Sequence, residues 1–183
     1  MKIDKNYKGL KNVGWRYEYE GNIVTEKTLE VDLDMGLYVS GYIKAGGYIE
    51  AGGFIEAGEY IKAGEYIKAD EYIKAGEYIE AGGYIKAGEY IEAGGSRGIS
   101  AGLYINCKGV LKFGGKCFAG ICTWREITDE EKTITCGKLE GGTIEYGILV
   151  ETGLENERKT ELLKKADELI AKAEELKKEA EKI

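Results

Sequence analysis

Residues 41–94 read GYIKAG, GYIEAG, GFIEAG, EYIKAG, EYIKAD, EYIKAG, EYIEAG, GYIKAG, EYIEAG, nine hexads without a gap. A short fixed period is the mark of a stacked architecture. Within each hexad the segment Tyr-Ile-(Lys/Glu)-Ala alternates as a strand does, so Ile and Ala share one face and Tyr and Lys/Glu the other. The following Gly-(Gly/Glu) step supplies a backbone that can turn. A helix is excluded. One Gly per six residues would cost about 1 kcal/mol each in a helix interior. A period of six also drifts around a 3.6-residue helix without building one apolar stripe. The expected fold class is therefore an all-β solenoid, a parallel β-helix. Three hexads would make a triangular coil of about 18 residues and two a flatter coil of about 12, with successive coils about 4.8 Å apart; the triangle, one hexad per face, is the expectation. Ile43 to Ile91 and Ala45 to Ala93 fill its interior.

The same phase extends beyond the perfect repeats. Counting back in sixes from Ile43 reaches Leu37 and Val31, and from Ala45 reaches Val39 and Leu33, all apolar. After Gly94 the insert at Ser96-Arg97 delays the next Ile to position 99, two residues late; the pairs Ile99/Ala101, Ile105/Cys107, Leu111/Phe113 and Cys117/Ala119 then follow. Four segments result. Residues 1–28 form an N-terminal cap, with WRYEYEGNIVTE as a hairpin around Gly21-Asn22. Residues 29–123 form the solenoid. Residues 124–153 form a C-terminal cap, with a second hairpin around Gly141-Gly142 and Trp124 beside it. Residues 154–183 form an amphipathic helix that Asn156 or Thr160 can cap. Its Glu161/Lys165, Glu168/Lys172 and Glu174/Lys178 pairs lie four apart in the favourable order. Leu162, Leu169, Leu176 and Ile183 recur every seven residues with Ala166, Ala173 and Ala180 between them, the seam of a coiled coil. A homo-oligomer joined through this helix is the expectation.

The order Ile-x-Ala, large residue first, resembles the repeats of the bactofilin (polymer-forming) family, whose triangular solenoids are right-handed. The resemblance covers the repeats only, about a third of the chain. It implies a structural, self-assembling scaffold or filament. A weaker resemblance links the period to the hexapeptide-repeat left-handed β-helices, where the small residue comes two before the large one. Those acyltransferases use a histidine base. With no histidine in the chain, a diverged acyltransferase-like enzyme is the least favoured reading.

Composition narrows the chemistry. The net charge of −7 and pI near 5.0 disfavour direct nucleic-acid binding. No apolar run approaches the roughly 20 residues of a membrane span, and the first residues lack a signal-peptide apolar region; a cytoplasmic protein is expected. Cys107, Cys117, Cys122 and Cys136 lack zinc-knuckle spacing, and Cys107 and Cys117 fall on inward slots, so they read as buried thiols. No cofactor, metal or catalytic residue is expected.

What remains for function is the outward surface. Between residues 41 and 95 ten acids face five lysines. Glu59, Glu65, Glu71, Glu77 and Glu89 occupy the corner position, and Tyr60, Tyr66, Tyr72, Tyr78 and Tyr90 the outward slot beside it, which stacking turns into aromatic ladders. These residues are the candidate partner-binding surface. The expected function is non-enzymatic: a protein-binding module, a phage or bacterial inhibitor that offers an acidic, Tyr-rich, DNA-mimic-like rod to a nucleic-acid enzyme. Regular Thr arrays are absent from the hexads, so ice binding is rejected.

Overall fold

Each hexad from 41 to 94 forms one strand and one corner in the computed structural model. The structure describes residues 1–153, 159–160, 162–166, 169–170 and 172. Ile43 pairs with Ile61 and Ile61 with Ile79, all in parallel, so one coil is 18 residues and has three faces. The three faces are sheets of eight, seven and eight strands. Register is pinned by the repeat: Ile lies on Ile and Ala on Ala at every step, as in Ile67 between Ile49 and Ile85. A slip of one residue would send every Ile outward. The core is correspondingly uniform. Ile43 through Ile91 are fully buried, the alanines beside them nearly so, and among the described residues no polar or charged side chain is buried.

Two insertions of two residues interrupt this regularity. The one at Ser96-Arg97 stands where the sequence places it, since Ile79 pairs with Ile99. The other lies at the corner after Val31, and it corrects the backward count. Leu29 sits over Ile49 and Val31 over Ala51, so Val31 occupies the small slot, not the large one. Counting in sixes slides past the insertion because Leu29, Val31 and Leu33 are all apolar, and all three are buried. Only pairing distinguishes them.

Neither hairpin forms where the sequence places it. Strand Tyr17–Tyr19 pairs in parallel with Leu37–Val39, and Ile23–Thr25 with Ile43–Ala45, on different faces. Gly21-Asn22 between them is a solenoid corner, and Asn22 Oδ1 accepts the Tyr42 N–H at 3.1 Å. The N-terminal hairpin lies one strand earlier, where Leu10–Asn12 runs antiparallel to Tyr17–Tyr19. Gly141-Gly142 is likewise a corner: Leu139 lies on Leu111, and Ile144 on Cys117. Residues 133–151 thus add a further turn to the solenoid, with Ile134 on Ile105. Hairpin and corner share the same local pattern, two alternating segments about a Gly-rich step. What separates them is whether the flanking strands find each other or the coil above.

Between Ala119 and Thr133 the chain leaves the stack in an excursion ending in a short 3-10 helix, Glu130–Lys132. Beyond the last strand, residues 152–153, 159–160, 162–166, 169–170 and 172 are helical. Leu162, Ala166 and Leu169 of the expected seam are exposed there; Ala173, Leu176, Ala180 and Ile183 lie outside the described residues. So do Asn156, Glu161, Glu168, Glu174 and Lys178. Among the described residues no helix is long and apolar enough to cross a membrane.

Candidate functional site: aromatic edges, corner carboxylates and a notch at Trp124

The outward Tyr slot falls beside the corners, so the triangle acquires three aromatic edges. Tyr42, Tyr60 and Tyr78 stack at 4.5 and 4.9 Å between centroids. Phe54, Tyr72 and Tyr90 stack at 4.4 and 4.6 Å. Tyr48, Tyr66, Tyr84 and Tyr104 stack at 4.7, 4.8 and 4.9 Å. The rings are within 11° of parallel throughout. The coil spacing imposes this offset-stacked geometry, which cross-strand aromatic pairs reward by about 0.2–1 kcal/mol each. Two arginines stack on aromatic rings, one of them on a ladder. Arg97, carried by the two-residue insert, lies 4.5 Å over Tyr78. Arg16 is sandwiched between Trp15 at 4.3 Å and Tyr38 at 4.4 Å, with Glu18 at 2.6 Å as its carboxylate partner. The sequence marks Arg97 by its insert but not the ring it meets, and no pattern singles out Arg16, which lies outside the hexads.

Several ladder phenols are harder to ionise than a free tyrosine. Burial first, then the Glu50 carboxylate, pushes the Tyr66 hydroxyl up to about 12. It donates to Glu50 Oε2 at 3.2 Å. Tyr72 is raised by the same causes, burial and then Glu56. A folded-state value above the unfolded value of about 10 favours the protonated fold. That contribution is complete below pH about 10 and fades as the pH rises toward 12. We expect a tyrosinate absorbance titration at 295 nm to show a late, cooperative phase coincident with loss of β-sheet ellipticity; titration of all tyrosines near 10 in a folded chain would contradict it.

The charges divide into two sets. Mid-strand lysines and glutamates pair between coils: Lys68 with Glu50 at 2.6 Å, Lys62 with Glu80 at 2.7 Å, Lys74 with Glu56 at 3.4 Å and Lys112 with Glu92 at 3.1 Å. Such half-exposed pairs contribute about 0–1 kcal/mol each and neutralise the face glutamates, while Lys44 and Lys86, in register with Lys62 and Lys68, stay exposed. The corner glutamates stay exposed. They form no single stripe. Glu59 and Glu77 stack on the Tyr60 edge, and Glu71 and Glu89 on the Tyr72 edge, each pair linked by a backbone hydrogen bond. Glu65 stands on the Tyr66 edge with Gly47 and Gly83 in the adjacent coils. The candidate tyrosines follow the same division: Tyr60 and Tyr78, Tyr72 and Tyr90, and Tyr66.

The cysteines are free thiols, three of them buried. Burial, then the neighbouring Cys136, pushes Cys107 and Cys117 up to about 12. Burial, then Glu151, pushes Cys136 up to about 11. At neutral pH these three are protonated and packed as small apolar groups.

One concavity interrupts the Tyr66 edge. Gly83 stands one coil above Glu65 without a side chain, beside a notch of about 370 Å³ walled by Glu65, Tyr66, Tyr84, Leu103 and Trp124. Trp124 belongs to the excursion and folds back onto the edge, so close that a Cβ at Gly102 would lie 2.9 Å from its ring. The excursion is braced internally. Arg125 Nη1 donates to Glu131 Oε2 at 2.8 Å, and Lys132 meets Asp129 at 2.7 Å. The Gly82-Gly83 doublet was visible in the sequence. Its meeting with a tryptophan 41 positions later was not.

No family model matches the chain, and neither a curated protein nor a solved structure does.

Proposed function

We propose that the chain is a non-enzymatic protein-binding module, a cytoplasmic phage or bacterial inhibitor that presents its acidic, aromatic edges to the basic surface of a nucleic-acid enzyme. The observation that carries this reading is the separation of the charges: every mid-strand glutamate from 50 to 92 is paired with a cation between coils, while the corner carboxylates stay exposed on a rigid frame beside stacked tyrosines. Fixed carboxylates on a rod cost little ordering entropy on binding. Their net field steers a basic partner and weakens with salt. Because the acids occupy three edges rather than one, the reading predicts that a partner's groove engages one edge at a time. It does not predict wrapping along a continuous acidic line.

A second reading, a self-assembling scaffold of the kind the Ile-x-Ala order resembles, is favoured by the last turn. Tyr146, Ile148, Leu149 and Val150 are 36–47% exposed there, and the helical residues Leu162, Leu163, Leu169 and Ile170 are more so. Large apolar side chains left exposed together on one terminal turn are a common mark of an interaction site.

One set of measurements separates the two. Lysate proteins retained by the wild type at low salt are compared with those retained by the variant carrying Lys at 59, 65, 71, 77 and 89. The inhibitor reading expects retained nucleic-acid enzymes that are released by salt or duplex DNA and lost in the variant. Partners indifferent to all three would end it. Sedimentation of the wild type and Leu169→Asp tests the scaffold: a concentration-dependent assembly whose mass falls in the variant is expected, and a monomer at every concentration would exclude it.

A further inference from the structure

The Tyr66 edge is chemically unlike the other two. Its Glu65 has no carboxylate above or below it, because Gly47 and Gly83 fill those corners. In front of it lies the notch, and across the notch stands Trp124, 59% exposed yet carried on a braced loop. The Tyr66 hydroxyl is already committed to Glu50. Glu65 is therefore the charged side chain of an otherwise aromatic and aliphatic lining.

We propose that this notch is an arginine-binding site, which takes the guanidinium of an arginine presented by a basic protein partner. A guanidinium is flat, so it can stack on the Trp124 ring while its N–H fork meets the Glu65 carboxylate. Its aliphatic stem can lie along Leu103. The chain already builds this arrangement internally, where Arg16 is stacked on Trp15 and bound to Glu18. Other ligands fit the lining less well. A saccharide needs several convergent polar groups, and an acyl chain would desolvate Glu65 without compensation. A lysine ammonium has no flat face to stack. The inference rests on the proposed role as a binder of basic partners and names the side chain recognised at one edge.

The test uses N-acetyl-arginine amide as probe, with N-acetyl-lysine amide beside it. The chain has two tryptophans, so Trp15→Phe leaves Trp124 as the reporter, and Trp15 lies on the Tyr72 edge against Phe54. A saturable change in Trp124 emission and in its indole N–H resonance is expected with the arginine probe. The lysine probe should bind at least about fivefold more weakly. Glu65→Gln should weaken the arginine probe about tenfold, while the same change at the exposed Glu20, outside the candidate surface, should not alter it. Melting of each variant checks that it is folded. Equal responses to both probes, no saturation up to the solubility limit, or an unchanged Kd in Glu65→Gln would each overturn the proposal. The outcome is separable from the function test. A basic partner that binds through Glu59, Glu71, Glu77 or Glu89 while the probe fails would remove only the notch. A probe that binds without any basic partner being found would remove only the function.

Discussion

Ile67→Lys is expected to prevent cooperative folding, and Ile67→Ala to cost about 2–5 kcal/mol in urea denaturation. Ile67 has no exposed surface and lies in the middle of its column, paired with Ile49 on one side and Ile85 on the other. In a solenoid, stability is close to a sum over neighbouring repeats, so a defect in a central coil weakens two interfaces at once. Truncation to Ala leaves a void that the flanking coils cannot close without abandoning register. Lysine is worse because every side chain around the axis is apolar; its ammonium would have no partner within the core. The neighbouring Lys68→Ala is the control. It points outward to a half-exposed pair with Glu50 and should cost about 1 kcal/mol or less. An Ile67→Ala variant no weaker than Lys68→Ala would mean that the isoleucine columns are not what holds the coils together.

Gly98→Ala should lower stability by about 2–5 kcal/mol, a sum of about 1–2 kcal/mol for left-handed backbone and about 1–3 kcal/mol for overpacking. Gly98 has φ +75°, and a Cβ there would sit 1.9 Å from the Lys116 carbonyl oxygen. Gly115, one coil on, repeats the situation with φ +73° and the Ser96 carbonyl at 1.9 Å. The obstruction is backbone in both cases, so no side-chain rotation relieves it. These two glycines carry the chain around the two-residue insert that places Arg97 over Tyr78. Gly52→Ala is the matched control, with nothing within 4 Å of the added methyl; it should change the thermal midpoint little. If Gly98→Ala and Gly52→Ala melt together, the corner geometry at the insert is wrong.

Whether a coil takes two hexads or three was decided by pairing 18 residues apart, Ile43 with Ile61 and Ile61 with Ile79, but the hexads alone sufficed for the solenoid and its inward columns, because a strict period of six keeps Ile and Ala on one face of every strand. They also sufficed to locate the slip at Ser96-Arg97, where an eight-residue gap separates Ile91 from Ile99. The earlier slip escaped because apolar residues at 29, 31 and 33 satisfy two phases equally well. The false hairpins at Gly21-Asn22 and Gly141-Gly142 have a related cause. Alternation and a Gly-rich turn are local properties, whereas the choice between hairpin and corner depends on a partner strand 20 to 28 residues away.

The candidate surface divides in the same manner. That Glu59, Glu65, Glu71, Glu77 and Glu89 are exposed corners, and that the tyrosines form ladders, follows from spacing. Their distribution over three edges follows from the three-sided coil, which returns every third hexad to the same edge. The notch belongs to tertiary structure alone: the Gly82-Gly83 corner is an absence, and Trp124 reaches it only because the excursion from Gly120 to Lys132 folds back across the edge. Repeats determine a frame since each hexad repeats its neighbour's contacts. A site arises where that repetition fails, and the pairing of two unlike segments there is decided by how the chain closes in space.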